Sequence, residues 1–122
     1  VLAAARAAAA GGKLDEALTA LQQLAHSGRS ARARFLARLT MAQALGSGKT
    51  LKVADSLFAS LQSEIDRTSL ETWEPELAAD CYRSHLACLQ QMDKEPGAAE
   101  DRVHVFRRLC RVDPLAAAKS AG

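Results

Sequence analysis

The amino-acid sequence predicts an all-α fold: a compact array of about five to six antiparallel helices arranged as repeat-like helical hairpins. Composition and pattern both carry that prediction. Of the 122 residues, 26 are Ala and 17 are Leu, against five Val and one Ile; Ala and Leu suit helices, whereas β-branched residues favour strands. Apolar positions recur at three- and four-residue spacings through most of the chain, as amphipathic helices require. The same composition leaves only 33 apolar residues larger than alanine, a thin core for one domain. No apolar run approaches the roughly 18 residues of a membrane span, and three Cys fall well short of a disulfide scaffold.

Residues 1–12 read as the end of a preceding helix or a linker, because Ala3 to Ala10 is interrupted only by Arg6. Residues 13–120 read as a single helical domain. A secretory signal places its basic residue ahead of the apolar stretch, whereas Arg6 lies within it. The first full helix spans about Leu14 to His26, with Ala17, Leu18, Leu21 and Leu24 on one stripe and Asp15 and Glu16 in the first turn, where the helix dipole favours anions. Gly28 ends it. Ser30 caps a second helix to about Leu45, with Phe35, Leu36, Leu39 and Ala42 inward and its arginines outward.

After Gly46 and Gly48, Thr50 caps a third helix to about Thr68 with Leu51, Ala54, Leu57, Phe58, Leu61 and Ile65 on its apolar face. Ser69 to Glu74 reads as a loop. Pro75 sits at a first-turn position, where its missing N–H has no partner to lose, and opens a fourth helix to about Met92 with Trp73 as a plug against its first turns. A fifth helix is expected from Pro96 to about Arg111, burying Ala99, Val103, Phe106, Leu109 and Cys110. Asp113 and Pro114 pair as cap and first residue of a short terminal helix through Lys119. A shift of 37 positions aligns Leu14, Ala17, Leu21 and Leu24 with Leu51, Ala54, Phe58 and Leu61, a weak repeat near the period of helix-turn-helix solenoids.

Chemistry is sparse. Gly46-Ser47-Gly48-Lys49-Thr50 resembles the end of a phosphate-binding loop, but the glycine required five positions before Gly48 is Gln43, inside a helix. It reads as a helix–helix turn. Cys81, His85 and Cys88 share one face of the fourth helix, a candidate metal edge that Cys110 or His104 could complete. Buried cysteines on the core stripe are the reading preferred here, with no metal and no cofactor. Cys81 and Cys88 lie about 10 Å apart along a helix, too far for a disulfide; three free thiols suit a reducing cytoplasm. His26, His85 and His104 fall on separate helices with no nucleophile or poised carboxylate beside them, so no enzyme is expected. Five aromatic residues give little for nucleic acid to stack on.

Residues 1–61 carry eight Lys/Arg against three Asp/Glu, a formal +5, and residues 62–122 carry eight against eleven, a formal −3. The basic part centres on Arg29, Arg32, Arg34 and Arg38, and the acidic part on Glu64, Asp66, Glu71, Glu74, Glu76 and Asp80. Of these, Arg29, Arg32, Arg34, Arg38, Glu64, Glu71, Glu74 and Glu76 are the interface candidates. If the second helix of one subunit met the 64–80 region of the next, the contact would be head-to-tail and would close into a ring or run on as a fibre.

Two stretches carry a family resemblance: Leu70-Glu71-Thr72-Trp73-Glu74-Pro75-Glu76-Leu77-Ala78 and Arg107-Arg108-Leu109-Cys110-Arg111-Val112-Asp113-Pro114-Leu115-Ala116. Together with Leu14-Asp15-Glu16-Ala17-Leu18 and Arg34-Phe35-Leu36-Ala37-Arg38-Leu39, they make the chain, from about Gly12 to Ala117, resemble the C-terminal (VasJ-like) domain of TssA, an ImpA-related subunit of the bacterial type VI secretion system. The resemblance implies a non-enzymatic, ring-forming homo-oligomer, cyclic or dihedral. It also implies a cytoplasmic role with the baseplate and the tail tube and sheath; composition, for its part, points away from membrane insertion and nucleic acid. Trp73, Pro75, Asp113 and Pro114 match as fold determinants. The alternative is a monomeric, tetratricopeptide-like adaptor that binds a peptide segment of a partner in its groove.

Overall fold

The starts of α-helices at residues 31, 75 and 114 fall where the local sequence satisfies or removes an unpaired backbone N–H. A computed structural model describes residues 14–27, 30–46 and 50–121. Its helices are α1 (Leu14–Ser27), α2 (Ala31–Leu45), α3 (Leu51–Thr68), α4 (Leu70–Trp73), α5 (Pro75–Gln90), α6 (Ala98–Val112) and α7 (Pro114–Ala121). There is no strand among the described residues. The fold is the all-α array expected, with one short helix, α4, where a loop was expected.

The Ser30 cap forms as expected: its backbone is extended (φ −128°) and its hydroxyl accepts from the Ala33 N–H at 3.0 Å. Asp113 does the same for α7, accepting from the Ala116 N–H at 3.0 Å, with Pro114 as the first helical residue. The expected Thr50 cap does not form. Its hydroxyl instead donates back to the Leu45 carbonyl at 2.7 Å, tying the start of α3 to the end of α2. Glu74, with no side-chain cap, precedes Pro75, which opens α5 as expected.

Two left-handed residues set the remaining turns. Ser69 (φ 56°) ends α3 and opens α4, a conformation costing a non-glycine residue roughly 1–2 kcal/mol. That reversal turns Leu70 into the core, 4% exposed, and leaves Trp73 against the first turn of α5 beside Leu77 but 55% exposed. Gly97 (φ 83°) supplies the second, and Pro96 belongs to the turn before α6 rather than to the helix. Glycine takes that conformation without a Cβ clash.

The helices pack in succession, α1 on α2, α2 on α3, α3 on α5, α5 on α6 and α6 on α7, with α4 wedged against α3 and α5. Part of the repeat expected from sequence is visible in what they bury: Ala17 and Leu21 on α1, and Ala54 and Phe58 at the matching positions of α3, are all essentially inaccessible, whereas Leu24 is only half-buried where Leu61 is inaccessible. Phe58, Leu61, Ile65, Tyr82, Leu89 and Leu109 fill the centre of the core. Alanines make up the rest: Ala42, Ala54, Ala78 and Ala98 are buried where helices meet, and their small side chains allow close approach. Ala99 does not belong with them; it is exposed.

One expected face is turned. α6 buries Leu109 as expected, but with Ala98 and Val105 beside it, whereas Val103 is 51% exposed and Phe106 and Cys110 are only partly covered. Two apolar stripes compete on this helix, and packing against α5 selects the 98, 105, 109 stripe. The other is left facing outward.

Candidate interaction surface

The candidate metal edge resolves into core. Cys81 and Cys88 are 0% and 1% exposed, and burial pushes their thiols up, to about 12 for Cys81, helped by nearby Asp80, and to about 11 for Cys88. Cys88 Sγ faces the Leu51 carbonyl at 3.6 Å and the Met92 sulfur at 3.9 Å. His85 has both ring nitrogens engaged: Nε2 donates to Asp55 Oδ1 at 2.8 Å and Nδ1 accepts from the Gln62 amide at 2.6 Å, the proton placement that satisfies every group. Its ring stacks on Phe58 at 5.1 Å between centroids. Among the described residues no group of three His, Cys, Asp or Glu side chains is placed to hold a metal ion. Raised thiol values predict slow alkylation: in the native protein an iodoacetamide-type reagent should label half-buried Cys110 first, and Cys81 and Cys88 only on unfolding, as peptide mass mapping over time would show.

Several of the charged interface candidates take part in bonds that hold the helices of one chain together. Arg108 of α6, whose side chain is 12% exposed, grips Asp66 of α3 through both terminal nitrogens at 3.0 and 2.6 Å and donates to the Tyr82 hydroxyl of α5 at 2.9 Å. Tyr82 donates in turn to Glu71 of α4 at 2.5 Å, and Glu71 accepts two bonds from Arg111, at 3.2 and 2.7 Å. Hydrogen bonding from Arg108 holds the Asp66 carboxyl below its ordinary range. Burial acts to raise Glu71, but its bonds from Arg111 and Tyr82 outweigh that and leave it lowered. This network fastens α6 to α3, α4 and α5.

The two oppositely charged halves also meet within one chain: Arg32 pairs with Glu74 at 2.6 Å, and Lys52 with Glu95 at 3.7 Å. Arg38 donates to Ser60, and Glu64 pairs with its helix neighbour Arg67. Arg34 is exposed on α2, and Arg29 lies outside the described residues. Glu76 is exposed and carries no ion pair or side-chain hydrogen bond among the described residues.

Two surface features remain that the sequence did not point to. At one end of α5, Trp73 stands over a pocket of about 30 Å³ lined by Phe35, Leu70 and Leu77, with its indole N–H held by the Thr68 carbonyl at 2.9 Å. Toward the other end, α5, α6 and α7 enclose an open groove of about 410 Å³ with Leu86, Val103 and Phe106 as its apolar wall and Arg102 and Arg107 at its rim. Neither arginine has an acidic partner among the described residues. The legible signal for the groove was the second apolar stripe on α6, which the sequence reading assigned to the core.

Residues 1–85 match the family described as "Type VI secretion, EvfE, EvfF, ImpA, BimE, VC_A0119, VasJ". The chain belongs to this type VI secretion family. The fold agrees: a solved structure described as "EAEC T6SS TssA-Cterminus" superimposes with a TM-score of 0.77 at 27% identity, covering 93% of this chain and 90% of that one. Comparison with curated protein sequences finds no match. In this VasJ-type domain the first family-resembling stretch forms α4 and the start of α5, and the second forms the end of α6 and the start of α7. Glu71 and Arg111, one from each stretch, are bound to one another. The matched segment ends at His85, so α6, α7 and most of the groove lie beyond it, within the span of the structural likeness. No helix among the described residues is long and apolar enough to cross a membrane.

Proposed function

We propose that this domain is a structural, self-associating part of a type VI secretion protein of the TssA kind. It forms a cyclic or dihedral ring in the bacterial cytoplasm and helps assemble or coordinate the baseplate and the tail tube and sheath. The observation that carries the reading is the likeness to the TssA C-terminal structure over nearly the full length of both chains. Residues 13–120 act as the assembling unit, and the role is non-enzymatic. The network around Arg108 and Glu71 supports a rigid building block, since it locks four helices into one arrangement.

The test is mass in solution by light scattering, followed by negative-stain imaging. Discrete rings are the expected result. Because assembly stabilises a folded subunit by mass action, dilution should lower the melting temperature. A stable monomer at every concentration would overturn the ring reading and favour the peptide-binding adaptor.

A further inference from the structure

We propose that Trp73 of one copy seats in the α5–α6–α7 groove of a second copy, with Glu76 beside it facing Arg102 and Arg107. The inference rests on the self-association reading and adds to it the two surfaces that meet. Trp73 is the one tryptophan in the chain and is 55% exposed, although burying an indole removes more apolar surface from water than burying almost any other side chain. The groove offers apolar walls in Leu86, Val103 and Phe106, and its volume of about 410 Å³ accommodates an indole.

Charge selects the same pairing. Glu76, three residues from Trp73, is exposed and unpaired, and the two rim arginines are likewise without acidic partners among the described residues. Closing the contact would join these charges at the edge of a desolvated anchor, the arrangement typical of interface hot spots.

Geometry keeps the contact between copies. Leu77 lines the pocket beneath Trp73, and Leu86 and Gln90 line the groove; on one helix these positions are about 14–20 Å apart at 1.5 Å per residue. A chain therefore cannot fill its own groove with its own Trp73. The joint is heterologous, knob of one subunit into hole of the next, and a heterologous joint propagates until it closes into a ring or extends as a filament.

The experiment uses Trp73→Ala and Val103→Glu, both at exposed positions, with circular dichroism to confirm that each variant folds. Light scattering on each variant alone should show monomers, with the dissociation constant raised roughly tenfold or more. Mixed in equal amounts, they should form a 1:1 pair, because Trp73→Ala retains an intact groove and Val103→Glu an intact knob. A double charge reversal, Glu76→Arg with Arg107→Glu, should restore assembly weakened by either change alone. If the wild-type chain assembles and Trp73→Ala assembles equally well, this contact is wrong and the ring reading stands. Failure of the mixture to pair, with both variants folded, also overturns the contact. If the wild-type chain is monomeric throughout, both readings fall.

Discussion

Replacing Phe58 with alanine should destabilise the domain by about 3–5 kcal/mol, because a fully buried aromatic is lost and the cavity it leaves cannot collapse between α3 and α5. Phe58 is 0% exposed and its ring also lies against His85, 5.1 Å away. The loss therefore includes a stacked neighbour whose own hydrogen bonds depend on staying in place. Chemical denaturation in urea, followed by circular dichroism, reads the effect as a lower midpoint. Phe106→Ala is the internal comparison. That ring is only partly covered at the groove wall, so its removal should cost less than half as much. Equal losses for the two residues would contradict the assignment of Val105 and Leu109, rather than Phe106, to the interior of α6.

Acidification should weaken the fold in two stages, and His85 sets the first. Burial pulls the imidazole below its ordinary value of 6.5, outweighing Asp55, which acts to raise it. Between the folded-state value and 6.5 the unfolded chain therefore binds more protons than the folded one, and stability rises with pH. The neutral ring's contribution is complete above 6.5 and falls away as pH drops toward the folded-state value, at up to about 1.4 kcal/mol per pH unit for one proton. Asp66 and Glu71 add the second stage. Both are lowered from 3.8 and 4.5 respectively, so their contribution is present above those values and is lost as pH falls through their folded-state values.

The measurement is unfolding free energy at half-unit pH steps from 8 downward. His85→Phe should be less stable overall, since it leaves the Gln62 amide without its ring partner, 9% exposed in the core. It should also lose the slope just below pH 6.5. A variant that kept the slope would place its source elsewhere.

The difference between α6 and its neighbours shows how much was legible before the structure. On α3 the apolar residues form one stripe, so 3.6-residue periodicity alone identified Ala54, Phe58, Leu61 and Ile65 as interior. On α6, Ala98, Val105 and Leu109 form one stripe and Ala99, Val103, Phe106 and Cys110 another; the sequence placed Leu109 inside correctly but grouped it with the second stripe, whose side chains are larger, in place of Ala98 and Val105. Only packing between α5 and α7 decides which turns inward. Trp73 is a similar case. Hydrophobicity argues for burial, but the left-handed Ser69 swings Leu70 inward in its place, and no pattern of apolar residues encodes that turn.

Charge followed the same division. The opposite sign of the two halves was plain from composition, and an intermolecular contact was the natural expectation; in three dimensions Arg32 and Glu74 close on one another within the chain. What the sequence determined by itself was the long helices, though not the short α4 or the exact start of α6, with the caps at Ser30 and Asp113, the proline start at Pro75, and the family, because these depend on residues close together in the chain. The tertiary structure decided which apolar stripe of α6 is spare, which charges are already paired and where Trp73 points. Those depend on residues some 40 positions apart, such as Asp66 and Arg108, whose meeting is fixed only when the helices pack.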